Sequence, residues 1–275
     1  MKLLSLFLLI LCSVFNYESY AQGNLLLTPM RLVFDGTKNT QELNLVNIGT
    51  DTSTFSISFI HFKMQEDGTF VKTEKPDEMQ KSAEPYLRVY PQRVTLAPGE
   101  PQVIMLQYRG KSNMQPGEYH SHLYFRAEKD NPPLGIKNQK KDSTHLIINL
   151  IPVYGLCVPI IIRTGDVKVN ITLSDFKLEK RPELSNYLKL TINRSGNIST
   201  YGDIIVEYLP AKGKTIQIGA IRGIGVYTDI NKRNIAIKLN DPPGILINNG
   251  KLKIRYISHD ESKKSELFAE GEMDI

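Results

Sequence analysis

Apolar side chains recur at every second position along most of this chain, as at Phe55, Ile57 and Phe59; Leu188, Leu190 and Ile192; Ile204, Val206 and Tyr208; Ile235, Ile237 and Leu239; and Leu252, Ile254 and Tyr256. Period two is the strand period, because successive side chains leave an extended backbone on opposite faces. It predicts strands with one face buried and one wet. No helical pattern of useful length accompanies it. Turn formers punctuate the runs at Asp35-Gly36, Asp67-Gly68, Pro98-Gly99, Pro116-Gly117 and Asn249-Gly250, supplying the positive or fixed φ that tight turns need. Many short strands at such spacing predict all-β sandwiches.

The N-terminus breaks this pattern. Lys2, an apolar run over 3–15 and the small-x-small triplet Ser19-Tyr20-Ala21 predict a secretory signal peptide over 1–21, cleaved before Gln22. The run is shorter than the roughly 20 residues of a membrane span, so the mature chain is not expected to span a membrane. Cleavage removes Cys12 and leaves Cys157 alone, so no internal disulfide is expected. Within Gly155-Leu156-Cys157-Val158-Pro159 that thiol reads as a small apolar packing group.

The remaining ~250 residues exceed the roughly 100 to 150 of a typical domain, which predicts two. In the first half strands are expected at 25–34, 40–47, 54–62, 87–96, 102–108, 118–127 and 144–156, enough for one immunoglobulin-like sandwich. About seven more follow from Val167 onward, and the polar joint Arg163-Thr164-Gly165-Asp166 sets the boundary: 22–163, then 164–275. The net charge of +5 is spread among acidic residues, and in an exported chain it argues against a nucleic-acid partner.

Two segments depart from the regular alternation. The stretch from Glu128 to Ser143 is rich in Lys, Asn and Pro, with almost nothing to bury, and is expected to be a mobile loop. After it, Leu146-Ile147-Ile148-Asn149-Leu150-Ile151-Pro152-Val153 is apolar on both faces and so must be covered on both. Either neighbouring elements of the same chain cover it, or one face waits for a partner.

Three blocks carry a family resemblance. Thr28-Pro29-Met30-Arg31-Leu32-Val33-Phe34-Asp35-Gly36 leads into an alternating strand that ends in Asn47-Ile48-Gly49. Pro91-Gln92-Arg93-Val94-Thr95-Leu96-Ala97-Pro98-Gly99 follows, with Gln102 beyond, and then Gly117-Glu118-Tyr119-His120-Ser121-His122-Leu123-Tyr124-Phe125. In this order the blocks resemble the PapD-like periplasmic chaperones of pilus assembly over roughly residues 25–163. The second half offers only a suitable number of strands. The resemblance implies two immunoglobulin-like β-sandwich domains in an L-shaped arrangement and a periplasmic location. It also implies a binding function: holding pilus, fimbrial or other surface-structure subunits by donor-strand complementation, in which an edge strand fills the groove of an incomplete sandwich. An outer-membrane usher is a further partner of such proteins, and self-association through the apolar strand would protect it in a client's absence.

On that reading Leu146, Ile148 and Leu150 fill the client's groove, because the opposite set of Ile147, Ile151 and Val153 is interrupted by Asn149. Arg31 matches the family's arginine on the first strand, which grips the subunit's C-terminal carboxylate; a guanidinium suits this through two parallel hydrogen bonds. Tyr154 stands where the family's partner lysine falls and supplies a hydroxyl but no cation. Met105 and His120 replace an arginine and an acidic residue that orient the cleft between domains, so the electrostatics of that cleft are expected to differ.

No Gly-x-Ser-x-Gly elbow, phosphate loop or His-Glu zinc motif occurs, so the chain does not read as an enzyme, and no cofactor is expected. His120 and His122 share a strand face and lack a sequence-evident third ligand; a solvated face is the expectation for them. The first rival to the chaperone reading is a structural or adhesive surface protein made of two self-sufficient sandwiches; the second is a carbohydrate-binding accessory protein or an enzyme, hinted at only by Tyr-rich faces such as Tyr119 and Tyr124.

Overall fold

In the computed structural model, residues 25–76, 80–110, 114–128, 155–179, 186–240, 247, 249–259 and 265–275 are described. The expected signal peptide, the loop after Glu128, and Leu146, Ile148, Leu150 and Tyr154 lie outside them.

Alternation is realised as strands throughout. The first half forms β1 (Leu25–Thr28), β2 (Leu32–Phe34), β3 (Thr40–Asn47), β4 (Ser53–Met64), β5 (Phe70–Thr73), β6 (Leu87–Tyr90), β7 (Arg93–Leu96), β8 (Pro101–Tyr108), β9 (Gly117–Glu128) and β10 (Gly155–Thr164). They make two sheets, ordered β1-β3-β8-β6 and β2-β10-β9-β4-β5, with β7 added on β4. Leu43, Leu45, Ile104 and Leu106 of one sheet face Phe34, Leu123, Phe125, Val158 and Ile160 of the other across a single apolar core.

The second half forms β11 (Val169–Glu179), β12 (Tyr187–Gly196), β13 (Thr200–Pro210), β14 (Ile216–Val226), β15 (Lys232–Lys238), β16 (Gly250–Ser258) and β17 (Leu267–Asp274). Their sheets are β11-β12-β15 and β14-β13-β16-β17, enclosing a separate core of Leu188, Leu190, Ile192, Ile204, Val206, Leu252, Ile254 and Tyr256. The chain is therefore all-β, with two packed sandwiches.

Several expectations need correction. The strands expected at 25–34 and 87–96 are each two strands, because the chain crosses from one sheet to the other at Pro29 and Pro91. Pairing in the first sheet ends at Thr28 and at Tyr90, the proline that follows each has no N–H to extend that ladder, and the next strand starts in the facing sheet. The strand β5 was not anticipated. The final strand of the first half is found at Gly155–Thr164, running eight residues beyond the expected end at 156.

Two of the resembling blocks meet as a structural clasp. Asn47 is fully buried; its Nδ2 donates to the carbonyls of Asp51 and Leu96, and its Oδ1 accepts from Gly49 N–H. Gly99 N–H donates to the Asn47 carbonyl at 2.7 Å, tying the β3–β4 turn to the β7–β8 turn.

Candidate partner-binding site

Strand β10 has two unequal edges. On one side it pairs with β9 along its whole length, from Gly155 opposite Arg126 to Thr164 opposite Gly117. On the other, β2 pairs in parallel with Ile160, Ile161 and Ile162 only. Among the described residues, then, the backbone from Gly155 to Pro159 has a free edge, which is the feature that lets a foreign strand join a sheet. Leu156 packs partly against the first core at this end, so the edge borders an apolar interior.

Arg31 closes that free edge. It immediately precedes β2, which puts it level with Pro159 in the parallel register. Its guanidinium lies 4.8 Å from the centroid of the Tyr201 ring and 5.6 Å from that of Tyr227, and it donates to Ser199 Oγ at 3.3 Å and, more weakly, to the Tyr227 hydroxyl at 3.5 Å. These three residues belong to the second sandwich, so Arg31 sits in the crevice between the two halves. No carboxylate among the described residues pairs with it. Aromatic faces hold a guanidinium in place without neutralising it, so its charge remains available to an anion.

The crevice floor is built by β9, and here the expected wet face is absent. Tyr119, Leu123 and Phe125 point into the first core, while Glu118, His120 and His122 on the opposite face are also buried. The second sandwich covers them, which corrects the reading of the two histidines as solvated. Glu118 Oε2 accepts from Arg163 Nε at 3.1 Å and from Ser199 N–H at 3.0 Å, and Arg163 Nη2 donates to the Ser199 carbonyl at 2.9 Å. His120 Nε2 lies 3.0 Å from Gln80 Nε2 and 3.5 Å from Asp229 Oδ1, and Asp229 Oδ2 accepts from Met64 N–H at 3.1 Å. His122 makes edge-on contacts with Phe62 and Phe70 and lies beside Tyr227.

The β4–β5 hairpin extends this contact. The Glu66 backbone carbonyl accepts from Asn234 N–H at 2.7 Å, and the Arg233 guanidinium packs on Gly68, whose φ of +84° suits glycine and whose missing Cβ makes room for it. Position 105, expected by resemblance to shape this crevice, lies instead on β8 in the opposite sheet, with Met105 half exposed.

Of the predicted site residues the structure thus places Arg31, at the end of a free edge and between the sandwiches; Leu146, Ile148, Leu150 and Tyr154 fall outside the described residues. Sequence reasoning missed Ser199, Tyr201, Tyr227 and Asp229, for which no local pattern gives a signal. Among the described residues no three His, Cys, Asp or Glu side chains are grouped to hold a metal ion.

Cys157 lies on β10 beside this site, half-buried, and burial pushes its thiol up to about 11. Its thiolate fraction near neutrality is then about a hundredfold below that of a free cysteine. Ellman's reagent should react with it slowly at pH 8 in the native protein and fast in urea; equal rates would contradict the burial.

No family model matches the sequence, and no curated protein matches it. Solved structures do match. In fold, the chain is similar to pilus chaperones. The YadV chaperone aligns with 92% of this chain and 100% of its own, at 11% identity and a TM-score of 0.45. The class 5 fimbriae chaperone CfaA aligns with 89% of this chain and 98% of its own, at 13% identity and a TM-score of 0.43. The CsuC–CsuE chaperone and tip adhesion subunit pre-assembly complex from Acinetobacter baumannii matches over 88% of this chain and 96% of the matched chain, at 12% identity and a TM-score of 0.42.

Proposed function

We propose that this chain is a periplasmic chaperone that binds incomplete immunoglobulin-like subunits of a pilus or other surface structure by strand addition, its domains being 22–163 and 164–275 after a cleaved leader. The observation that carries this reading is the free edge of β10 at Gly155–Pro159, ending at an Arg31 that has no carboxylate partner among the described residues. Because β2 runs parallel to β10, a strand that continues its row along the free edge in the same direction reaches Arg31 with its C-terminus. Its terminal carboxylate then meets the guanidinium.

The apolar run 146–153 directly precedes β10 in the sequence. Leu146, Ile148 and Leu150 supply the groove-filling set, each worth about 1.5 to 3 kcal/mol when fully buried against a client. Tyr154 follows them in the sequence and brings a hydroxyl in place of a second cation, so carboxylate anchoring rests on Arg31.

The test is capture of client subunits by tagged protein in its native host, compared with the double variant I148D/L150D. Wild type should retain a surface-structure subunit and the variant should lose it with its far-UV circular dichroism unchanged. Undiminished capture by the variant, or strong hydrogen-exchange protection of 144–151 in the protein alone, would overturn the proposal.

A further inference from the structure

The sheet β1-β3-β8-β6 has an outer face that the second sandwich does not cover. Its inward residues are buried, but Leu26 is 51% exposed, Val103 40%, Met105 47% and Tyr90 76%. Strand register joins these into one stripe. Tyr90 is paired with Met105, Met105 and Val103 are same-face neighbours on β8, Val103 lies diagonal to Val46, and Val46 is paired with Leu26. At the Tyr90–Met105 end the face runs into a cavity of about 700 Å³ at the β6 edge, lined also by the inward-facing Leu87 and Val89 and by Phe59 of the facing sheet. A contiguous apolar stripe of this kind on a sheet face marks an interaction surface.

The charges around the stripe fit a second copy of this chain. Glu42 is paired with Met105 from the β3 side and Arg88 with Gln107 from the β6 side. The two therefore stand on opposite flanks of β8, one diagonal step apart. Both are exposed, and neither makes an ion pair or a side-chain hydrogen bond with another described residue. Arg109, the cation just past the end of β8, is held on Gln107 Oε1 at 3.2 Å, which leaves one anion and one cation without a partner among the described residues, on either side of an apolar centre, in a self-complementary pattern. A two-fold axis lying in the interface along the bisector of the Arg88–Glu42 line puts each Arg88 opposite Glu42 of the second copy and brings the two Tyr90–Met105 pairs together. Self-complementarity is what an isologous interface requires, and an unrelated partner would need no such balance.

We propose that this face is the interface of a homodimer, with Tyr90 and Met105 at its centre and two reciprocal Arg88–Glu42 pairs at its rim. It lies on the sheet opposite to the one that contains β10, so a dimer leaves the free edge and Arg31 open, and the inference does not depend on the chaperone reading.

Sedimentation equilibrium of the purified protein at micromolar concentrations tests it. Wild type should be a dimer. R88E and E42R each place like charges opposite one another twice and should raise the dimer dissociation constant by about tenfold or more. The double variant R88E/E42R exchanges the charges and should restore a dimer close to wild type. A wild-type monomer, as expected if another part of this chain or an unlike partner covers the face, would overturn the proposal. A dimer indifferent to R88E, as expected for association through β10, would do the same, and so would a failure of the double variant to recover.

Discussion

Replacing Arg163 with Met should cost the folded protein about 3 kcal/mol, and replacing Glu118 with Gln as well should restore most of that loss. The Glu118 side chain has no exposure to solvent, while that of Arg163 is 27% exposed. One carboxylate oxygen receives Arg163 Nε and Ser199 N–H; the other has no partner among the described residues. With Arg163 gone, a buried carboxylate keeps a single backbone donor and loses its adjacent cation, and removing one member of a buried pair costs roughly 3 to 5 kcal/mol. The lower end applies because Arg163 is itself partly solvated and because Arg194 also feels the charge of Glu118. In the double variant no buried charge remains to be compensated. Urea unfolding followed by tyrosine fluorescence reads both values, since the chain has no tryptophan and Tyr227 is buried at this interface. A loss below about 1 kcal/mol for Arg163→Met would mean that the pair does not hold the sandwiches together.

The same interface shows where sequence reasoning stops. Strands were legible because the period of two is a local property of extended backbone. The turn at Asp67-Gly68 was legible because glycine reaches its positive φ without a steric cost. The crossings at Pro29 and Pro91 were not read, since the apolar runs continue on either side of each proline and nothing local distinguishes a break from a change of sheet. Glu118, His120 and His122 alternate with Tyr119, Ser121 and Leu123 in the pattern of a half-solvated strand. They are buried only because Tyr227, Asp229 and Ser199 are brought onto them from more than 75 residues away, a fact of tertiary packing. Arg31 was found through the spacing of its motif, whereas Ser199 and Tyr227, which line its crevice, are 168 and 196 residues distant in sequence. The Asn47-Ile48-Gly49 and Pro98-Gly99 elements, which carried much of the family resemblance, prove to be a fold-forming clasp. A free edge is a property of neighbours, so the opening along Gly155–Pro159 could be expected from the apolar run but only located once β2 and β9 were placed.

His122 makes this buried face sensitive to acid. Its ring sits among Phe62, Phe70 and Tyr227, and its Nδ1 has no hydrogen-bond partner among the described residues. Burial, above all, pushes its pKa down to about 4; His120, Arg31 and His61 add to the lowering, and Asp229 opposes it. Unfolded, the imidazole takes up its proton near pH 6.5, so between about 6.5 and 4 the unfolded chain binds a proton that the folded chain refuses. The sign follows directly: the contribution of His122 to stability is fully present above about pH 6.5 and is lost as pH falls toward 4, reaching about 3 kcal/mol at the acid end. Carboxylates titrate through the same window, so the wild type alone does not isolate the effect. His122→Phe does. A phenyl ring can keep the edge-on contacts, gives up no hydrogen bond at Nδ1, and cannot take a proton. Urea unfolding at a series of pH values should show the variant losing about 3 kcal/mol less than wild type between pH 6.5 and 4. Superimposable profiles for the two proteins would show that water reaches this ring and that the sandwiches do not seal it.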